Sequence, residues 1–365
     1  MDDHQQSDSP RRVTAADVAR ALGVATSTVS NAYNRPDQLS AALRERVLAT
    51  AAAMGYHPNP AARGLRRGRT RSIGVLYTDR LSFAFIDPAF VQFLRGVALV
   101  VEDAGLSLTL FPGTPQMMRD PEIIRAAVVD GFIIYSLSHD DPLVHAVRER
   151  RLPLVCVDDP AFDDVPLVGI EDADGAAAAA HHLLELGHRQ IGVISLPFAI
   201  DTPAGPANLE RHATVAYRVV QERLRGYRTA CTAAGLAWAR VPVEVCAENS
   251  QEDGQAAAAR LLDAAPHLTA LLIMSDRLAL GALRTLAERG IRVPYDLSIA
   301  AFDDIPEAAV AIPPLTTLQQ PHEEKGRYAG KLLMRQLEGD TKVTRVLLST
   351  RLVVRGSTQM IDAGR

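Results

Sequence analysis

Three cysteines in 365 residues, Cys156, Cys231 and Cys246, are too few and too widely spaced for a disulfide framework or a zinc-ligand pattern. No apolar run reaches the length of a membrane span. The first ten residues, MDDHQQSDSP, are polar and acidic, so a secretory signal is not expected and a cytoplasmic location is. Lysine is nearly absent, at three residues against 36 arginines, a bias from which no function is drawn. There is one tryptophan, Trp238. No glycine-rich phosphate loop, Ser–His–Asp order or glutamate pair at a strand end stands out, so no catalytic residue, cofactor or metal is expected. Adjacent His181 and His182 would leave one helix in different directions, which argues against a shared metal ion.

What is there begins with charge. The whole chain carries −4, but residues 11–71 hold eleven arginines against Asp17, Asp37 and Glu45. Residues 72–365 hold 28 basic and 37 acidic side chains, so a basic head stands before an acidic body. A basic head is the electrostatic footprint of a nucleic-acid module. Its pattern agrees. In VTAADVARALGVATSTVSNAYN (13–34), Thr14 and Asp17 form a capping box, Val18, Ala19 and Leu22 make an apolar face, and Gly23 ends the first helix. Val24 and Val29 bury the second helix, while Thr26, Ser27, Thr28, Ser30 and Asn31 fill its other face. Short hydroxyl and amide side chains on one helix face suit the major groove. Ser40 caps a third helix whose Leu43, Val47, Ala51 and Met54 close the small core, and Gly55 ends it. The stretch 60–66 that follows, rich in arginine and weakened by Gly64, is too short to be stable alone and is expected to fold on DNA.

From Ser72 short, continuous apolar strands alternate with helices, as in parallel sheets buried on both faces. Strands are expected at 72–78, 106–111, 131–136, 153–158, 166–170, 190–195, 241–246, 270–274 and 297–302, with closing strands around 346–355. Helices are expected at 88–104, 121–129, 142–151, 173–187, 215–235, 254–264, 276–290 and 321–338, and 197–216 reads as a long loop. Asp158, Asp159, Asp163 and Asp164 read as turn carboxylates. So many strands imply one barrel or two doubly wound sheets, and the helix and strands after the last repeat favour two sheets with the chain crossing between them.

The order and spacing of VTAADVARALGVATSTVSNAYN, PNPAARGL, SIGVL, HHLLELGHRQIGVI, RLRGY, SDRLALGAL, AFDD, IPPLTTLQQP and RLVVRGST resemble the lactose-repressor (LacI) family of bacterial regulators from Val13 to Thr358. The resemblance implies an α/β core of two doubly wound parallel-sheet subdomains, like a periplasmic binding protein, behind an all-α helix-turn-helix headpiece. It places a tail at 1–10, the headpiece at 11–58, a hinge helix and linker at 59–71, the core at 72–358 and a tail at 359–365. Within the core it assigns 72–188 and 320–349 to one subdomain, 189–319 and 350–358 to the other. It implies a homodimer on a pseudo-palindromic operator in double-stranded DNA, and a small polar effector such as a sugar or nucleoside in the cleft. A repressor is the expected role.

By the same resemblance Thr26, Ser27 and Asn31 read bases, while Thr14, Thr28, Asn34 and Ser40 contact phosphates. Leu65, with Asn59 and Ala62, occupies the minor-groove hinge. Ala25 replaces a usual capping serine, so Thr26 is expected to cap the second helix instead. Asn31 stands where arginine is frequent, which favours adenine over guanine. In the core the resemblance assigns Arg223, Asp303, Ser275 and Phe90 to the effector, with Phe90 at the cleft mouth for stacking. An arginine fork plus a carboxylate suits vicinal hydroxyls or a purine edge. The stretch 249–252 lacks the aromatic that often stacks on the ligand there. A solute-binding module would need a signal peptide and no basic head, and an enzyme a catalytic constellation at strand ends. A core answering to a protein partner would leave ligand screens empty.

Overall fold

A computed structural model describes residues 13–57, 70–159, 162–207 and 214–361. The chain divides into two compact units, Met1–Arg71 and Ser72–Arg365. The hinge candidates Asn59, Ala62 and Leu65 lie outside the described residues.

The head is three helices, α1 (Ala15–Leu22), α2 (Thr26–Asn34) and α3 (Ala41–Ala53). Thr14 caps α1 in a reciprocal box: its hydroxyl accepts from the Asp17 amide at 3.3 Å, and its own amide donates to the Asp17 carboxylate at 3.0 Å. Gly23 takes the left-handed conformation at φ 67°, which turns the chain between α1 and α2. Val18, Ala19, Val29, Ala32, Val47 and Ala51 form the core, with Leu22, Val24, Leu43 and Met54 packed at its edge. One expectation is corrected. The N-cap of α2 is Ala25, with no side-chain bond, and Thr26 is the first helical residue. Thr26 therefore keeps its hydroxyl free of capping.

The core strands are β1 (Ser72–Thr78), β2 (Ser107–Gly113), β3 (Gly131–Tyr135), β4 (Leu154–Val157), β5 (Leu167–Ile170), β6 (Ile191–Ser195), β7 (Gly205–Ala207), β8 (Val243–Val245), β9 (Ala270–Ile273), β10 (Ser298–Asp303), β11 (Thr316–Gln319), β12 (Arg345–Leu348) and β13 (Arg351–Val353). They form two sheets, β12-β5-β4-β3-β1-β2 and β13-β11-β10-β9-β6-β8-β7. The first is wholly parallel. In the second only the edge strands β13 and β7 run antiparallel. The segment read as a loop, 197–216, thus contributes the short edge strand β7.

Among the described residues of the core, the helices of eight or more residues are α4 (Pro88–Asp103), α5 (Pro142–Glu149), α6 (Asp172–Glu185), α7 (Arg218–Ala233), α8 (Gln251–Ala264), α9 (Asp276–Glu288) and α10 (His322–Leu337). The helix expected at 121–129 is a single turn, Glu122–Arg125. α4 and α10 cross closely because Gly96 and Gly326 leave no side chain between the two backbones. α6 packs on α7 and the second sheet, since Ala176, Ala179, Ala180 and Leu183 share a core with Tyr227 and Phe302. The first crossing between lobes therefore falls at Glu171, between β5 and α6, and not near 188. The chain returns between β11 and α10, and crosses again between β12 and β13. Among the described residues no helix is long and apolar enough to cross a membrane.

Candidate effector cavity and DNA-reading face

The two lobes of the core enclose a cavity of about 760 Å³. It lies at the carboxyl ends of the strands, where parallel sheets place ligands. Four of its residues, Asp79, Ser136, Asp158 and Asp303, follow or end β1, β3, β4 and β10, and all have positive φ (99°, 52°, 60° and 116°). A non-glycine residue in such a conformation costs on the order of 1–3 kcal/mol, and such strain clusters at ligand sites.

Arg223 lies on α7 and is 4% exposed. Its Nε donates to Asp172 at 2.9 Å, Nη1 donates to the Met274 carbonyl and stands 3.9 Å from Asp303. The guanidinium lies 3.6 Å over the Phe302 ring, a cation–π contact that holds its plane. Burial works against its charge, but Asp172 and Asp303 outweigh burial and hold its pKa above the usual arginine value. Burial pushes the Asp303 carboxyl up to about 7, against the opposing pull of Arg223. Burial also raises Asp172, again opposed by Arg223.

A second buried pair faces this one from the first lobe. The Lys325 ammonium donates to both Asp158 oxygens, at 3.0 and 2.8 Å, and to Gln320 at 3.0 Å. Gln320 in turn donates to Asp303 at 2.7 Å, which joins the two pairs into one chain of bonds. Asp87 spans the lobes at the side of the cavity. One oxygen caps α4 through the Phe90 amide at 2.8 Å. The other accepts from Arg277 at 3.2 Å and Asn249 at 3.4 Å, both on the second lobe. Arg218, on α7, donates to the Asp158 carbonyl at 3.1 Å and adds a further tie between lobes.

Arg223 and Asp303 thus line the cavity, as expected, and two other candidates do not. Phe90 is fully buried within the first lobe, packed on Tyr77, Phe93 and Tyr135, because its position on α4 points into the sheet. Phe83, Tyr135 and Tyr217 are the aromatic residues that line the cavity. Ser275 is also fully buried, and its hydroxyl caps α9 by accepting from the Arg277 amide at 3.1 Å. Asp276 beside it is internal too, held by the Ile305 amide and the Thr317 hydroxyl. Asp158 is a buried ion-pair partner and not a plain turn carboxylate. Asp87, Asp172, His322 and Lys325 were not singled out from sequence. The readable sign was position: Asp158 follows a continuous apolar strand, where a carboxylate faces the crevice.

In the head, Thr26 and Ser27 are exposed at the start of α2, and Thr28 and Asn31 are half-buried on it. The Asn31 amide donates to Gln38 at 3.3 Å. The Asn34 amide turns back on its own helix, donating to the Ser30 carbonyl at 3.0 Å and hydroxyl at 3.3 Å. Thr14 and Ser40 are exposed N-caps. Among the described residues no group of three His, Cys, Asp or Glu side chains could hold a metal ion.

A helix-turn-helix head and a two-lobed, cavity-bearing core define a ligand-binding transcription regulator. Residues 14–59 match the lacI family of bacterial regulatory proteins, and residues 180–358 match a periplasmic binding protein-like domain. The chain is 40% identical to an HTH-type transcriptional regulator of Mycolicibacterium smegmatis, over 96% of this chain and 97% of that one. It is 39% identical to the HTH-type transcriptional regulator IpsA of Corynebacterium glutamicum, over 92% and 95%. Among solved structures it is similar to a complex of the regulator CelR with cellobiose (TM-score 0.70, 32% identity, 95% of this chain and 100% of that one). It is also similar to the lac repressor dimer bound to operator and an anti-inducer (TM-score 0.74, 26% identity, 96% and 100%). The chain belongs to the LacI family of DNA-binding transcriptional regulators.

Proposed function

We propose that this regulator is a homodimeric, cytoplasmic repressor whose affinity for a pseudo-palindromic operator is set by a small polar effector in the inter-lobe cavity. The carrying observation is the cavity itself, with Arg223 and Asp303 in its wall and strained strand ends around it. A guanidinium and a carboxyl presented together suit a molecule rich in hydroxyls. The cellobiose complex of CelR and a ribose-bound LacI-family structure from Enterococcus faecium support that class. Thr26, Ser27 and Asn31 read bases in the major groove, and Thr14, Thr28, Asn34 and Ser40 meet the phosphates. Leu65, with Asn59 and Ala62, wedges the minor groove. Two heads are needed to read two half-sites, which is why a dimer is part of the reading. The test compares a palindromic operator duplex with random DNA, each with and without a ligand that binds the core. Specific binding about 1,000-fold tighter than random binding, and altered by the ligand, is expected. Equal affinity for both duplexes would overturn the reading.

A further inference from the structure

The chain passes between the lobes at Glu171, between β11 and α10, and between β12 and β13. Asp87 lies on none of these segments, and neither do Asn249 and Arg277, which follow β8 and β9 in the second lobe. Chain connectivity does not bring the three together; closure of the lobes does. The Asp87 carboxylate is 3% exposed and is fixed on its own side by the cap of α4, where one oxygen accepts from the Phe90 amide at 2.8 Å. Its other oxygen accepts from the Arg277 guanidinium at 3.2 Å and the Asn249 amide at 3.4 Å. The cap keeps the acceptor in place on the first lobe, so the bonds to the second lobe can break and re-form without refolding either side.

The energetics suit a reversible fastening. In a buried ion pair the attraction is largely offset by lost hydration, so a lobe movement that wets both partners together costs little, whereas removing one partner strands the other. The remaining ties across the gap are of another kind. The Arg218 amide donates to the Asp159 carboxylate at 3.3 Å, and its guanidinium donates to the Asp158 carbonyl. The Tyr217 side chain bonds that of Thr78. Arg80 faces Glu248 at 3.6 Å with both side chains exposed, a pair worth little in water. Asp87 and Arg277 are the buried ion pair among these ties.

We infer that Asp87, Arg277 and Asn249 form a latch that holds the two lobes closed by bonds within the chain, and that the cavity opens to its ligand when this latch parts. The latch serves whatever ligand the cavity takes, so it does not rest on the effector class proposed above.

Closure has a reporter away from the latch. Arg218 is the first residue of α7, and an amide in the first turn of a helix has no partner inside that helix. Its acceptor, Asp159, is on the other lobe, so this bond shields the amide from exchange while the lobes are together. The Gln221 amide, three residues on, bonds the Tyr217 carbonyl within the second lobe and serves as the control. The experiment is amide hydrogen exchange of the full chain with no ligand added, resolved to single amides by fragmentation. Asp87→Asn keeps an oxygen for the cap of α4 and gives up the charge. Arg277→Met keeps the stem and gives up the guanidinium. Each variant should speed exchange of the Arg218 amide fivefold or more and leave that of Gln221 within twofold. The double variant should lie within twofold of the larger single effect, since both changes remove one bond. Thermal melts by circular dichroism establish folding, and Asn249→Ala replaces either variant that is not folded. Unchanged Arg218 exchange in either folded variant, equal acceleration at Gln221, or effects that multiply in the double variant would overturn the latch and leave the effector reading standing.

Discussion

In the head, the polar groups at the start of α2 are small, uncharged and turned outward: Thr26 and Ser27 are exposed over a core of six buried aliphatic side chains. In the core, the polar groups around the cavity are charged and turned inward: Arg223 and Lys325 are 4% and 1% exposed, and their partners Asp172 and Asp158 are 7% and 6% exposed. The two arrangements carry different costs. Exposed hydroxyls remain solvated in the free head, so changing one should leave its fold nearly intact. Buried charges are stable only in pairs, so changing one disturbs the fold as well as the ligand. The head is a reading surface on a local scaffold, and the core a ligand site whose electrostatics hold its own lobes together.

The largest effect should come from breaking a buried pair. Arg223→Ala leaves Asp172 and Asp303 in a buried site without their cation. Removing one partner of a buried pair costs roughly 3–5 kcal/mol, so denaturant unfolding of the core should shift by that amount. Adding Asp172→Asn should restore part of the loss. A loss below about 1 kcal/mol would show that the pair is solvated as the head's surface groups are.

The head should respond in the opposite way. Asn31 sits half-buried on α2, its amide on Gln38. Asn31→Ala should weaken operator binding by about 1–3 kcal/mol, the worth of a base contact. Binding to random DNA and the melting of the head should change by no more than about 0.5 kcal/mol. Equal losses on operator and random DNA would remove Asn31 from the reading surface and blur the contrast between the two units.

A third effect is a pH dependence. Burial raises the Asp303 carboxyl to about 7 in the folded core, well above the ordinary aspartate value of 3.8. Between those values the folded state holds a proton that the unfolded chain has released, so this group's contribution to stability is full below pH 3.8 and is lost as the pH rises through 7. Asp303→Asn removes that loss. Its melting temperature, compared with the parent's at each pH, should therefore gain on the parent from pH 5 to 8. A difference that is flat across this range would mean that Arg223 keeps Asp303 ionised throughout.

The same contrast explains what the sequence made legible. The head is local: Thr14 caps through Asp17 three residues on, Gly23 turns, and Ser40 caps through the Leu43 amide. Spacing alone carries such features. The core strands were legible too, because strands covered on both faces are continuous apolar runs. The pairs at the cavity were not. Lys325 and Asp158 are 167 residues apart, and Arg223 and Asp172 are 51 apart. The first pair meets only because the chain crosses into the second lobe and returns, and the second only because α7 packs on α6, neither of which a local pattern records. For the same reason α6 was assigned to the wrong lobe, since its alanine-rich face fits either sheet until Tyr227 and Phe302 claim it. Phe90 and Ser275 were misplaced by single-residue detail: one faces into its sheet from α4, and the other is spent on the cap of α9. Arg223 and Asp303 were found by resemblance, whereas Asp87, which ties the lobes through Arg277 and Asn249, had no sequence sign.

Occupation of the inter-lobe cavity and operator binding by the head should be thermodynamically linked. The most direct measurement is a reciprocal titration of the full chain: operator affinity at zero and saturating concentrations of an uncharged sugar that binds the core, and sugar affinity with and without operator. Operator affinity should change by about 5- to 150-fold, matched by the same factor in sugar affinity, as linkage requires. Arg223→Lys, which gives up the forked geometry, should weaken the sugar and with it the response. A sugar that saturates the cavity while operator affinity stays unchanged would show that cavity and head are not linked.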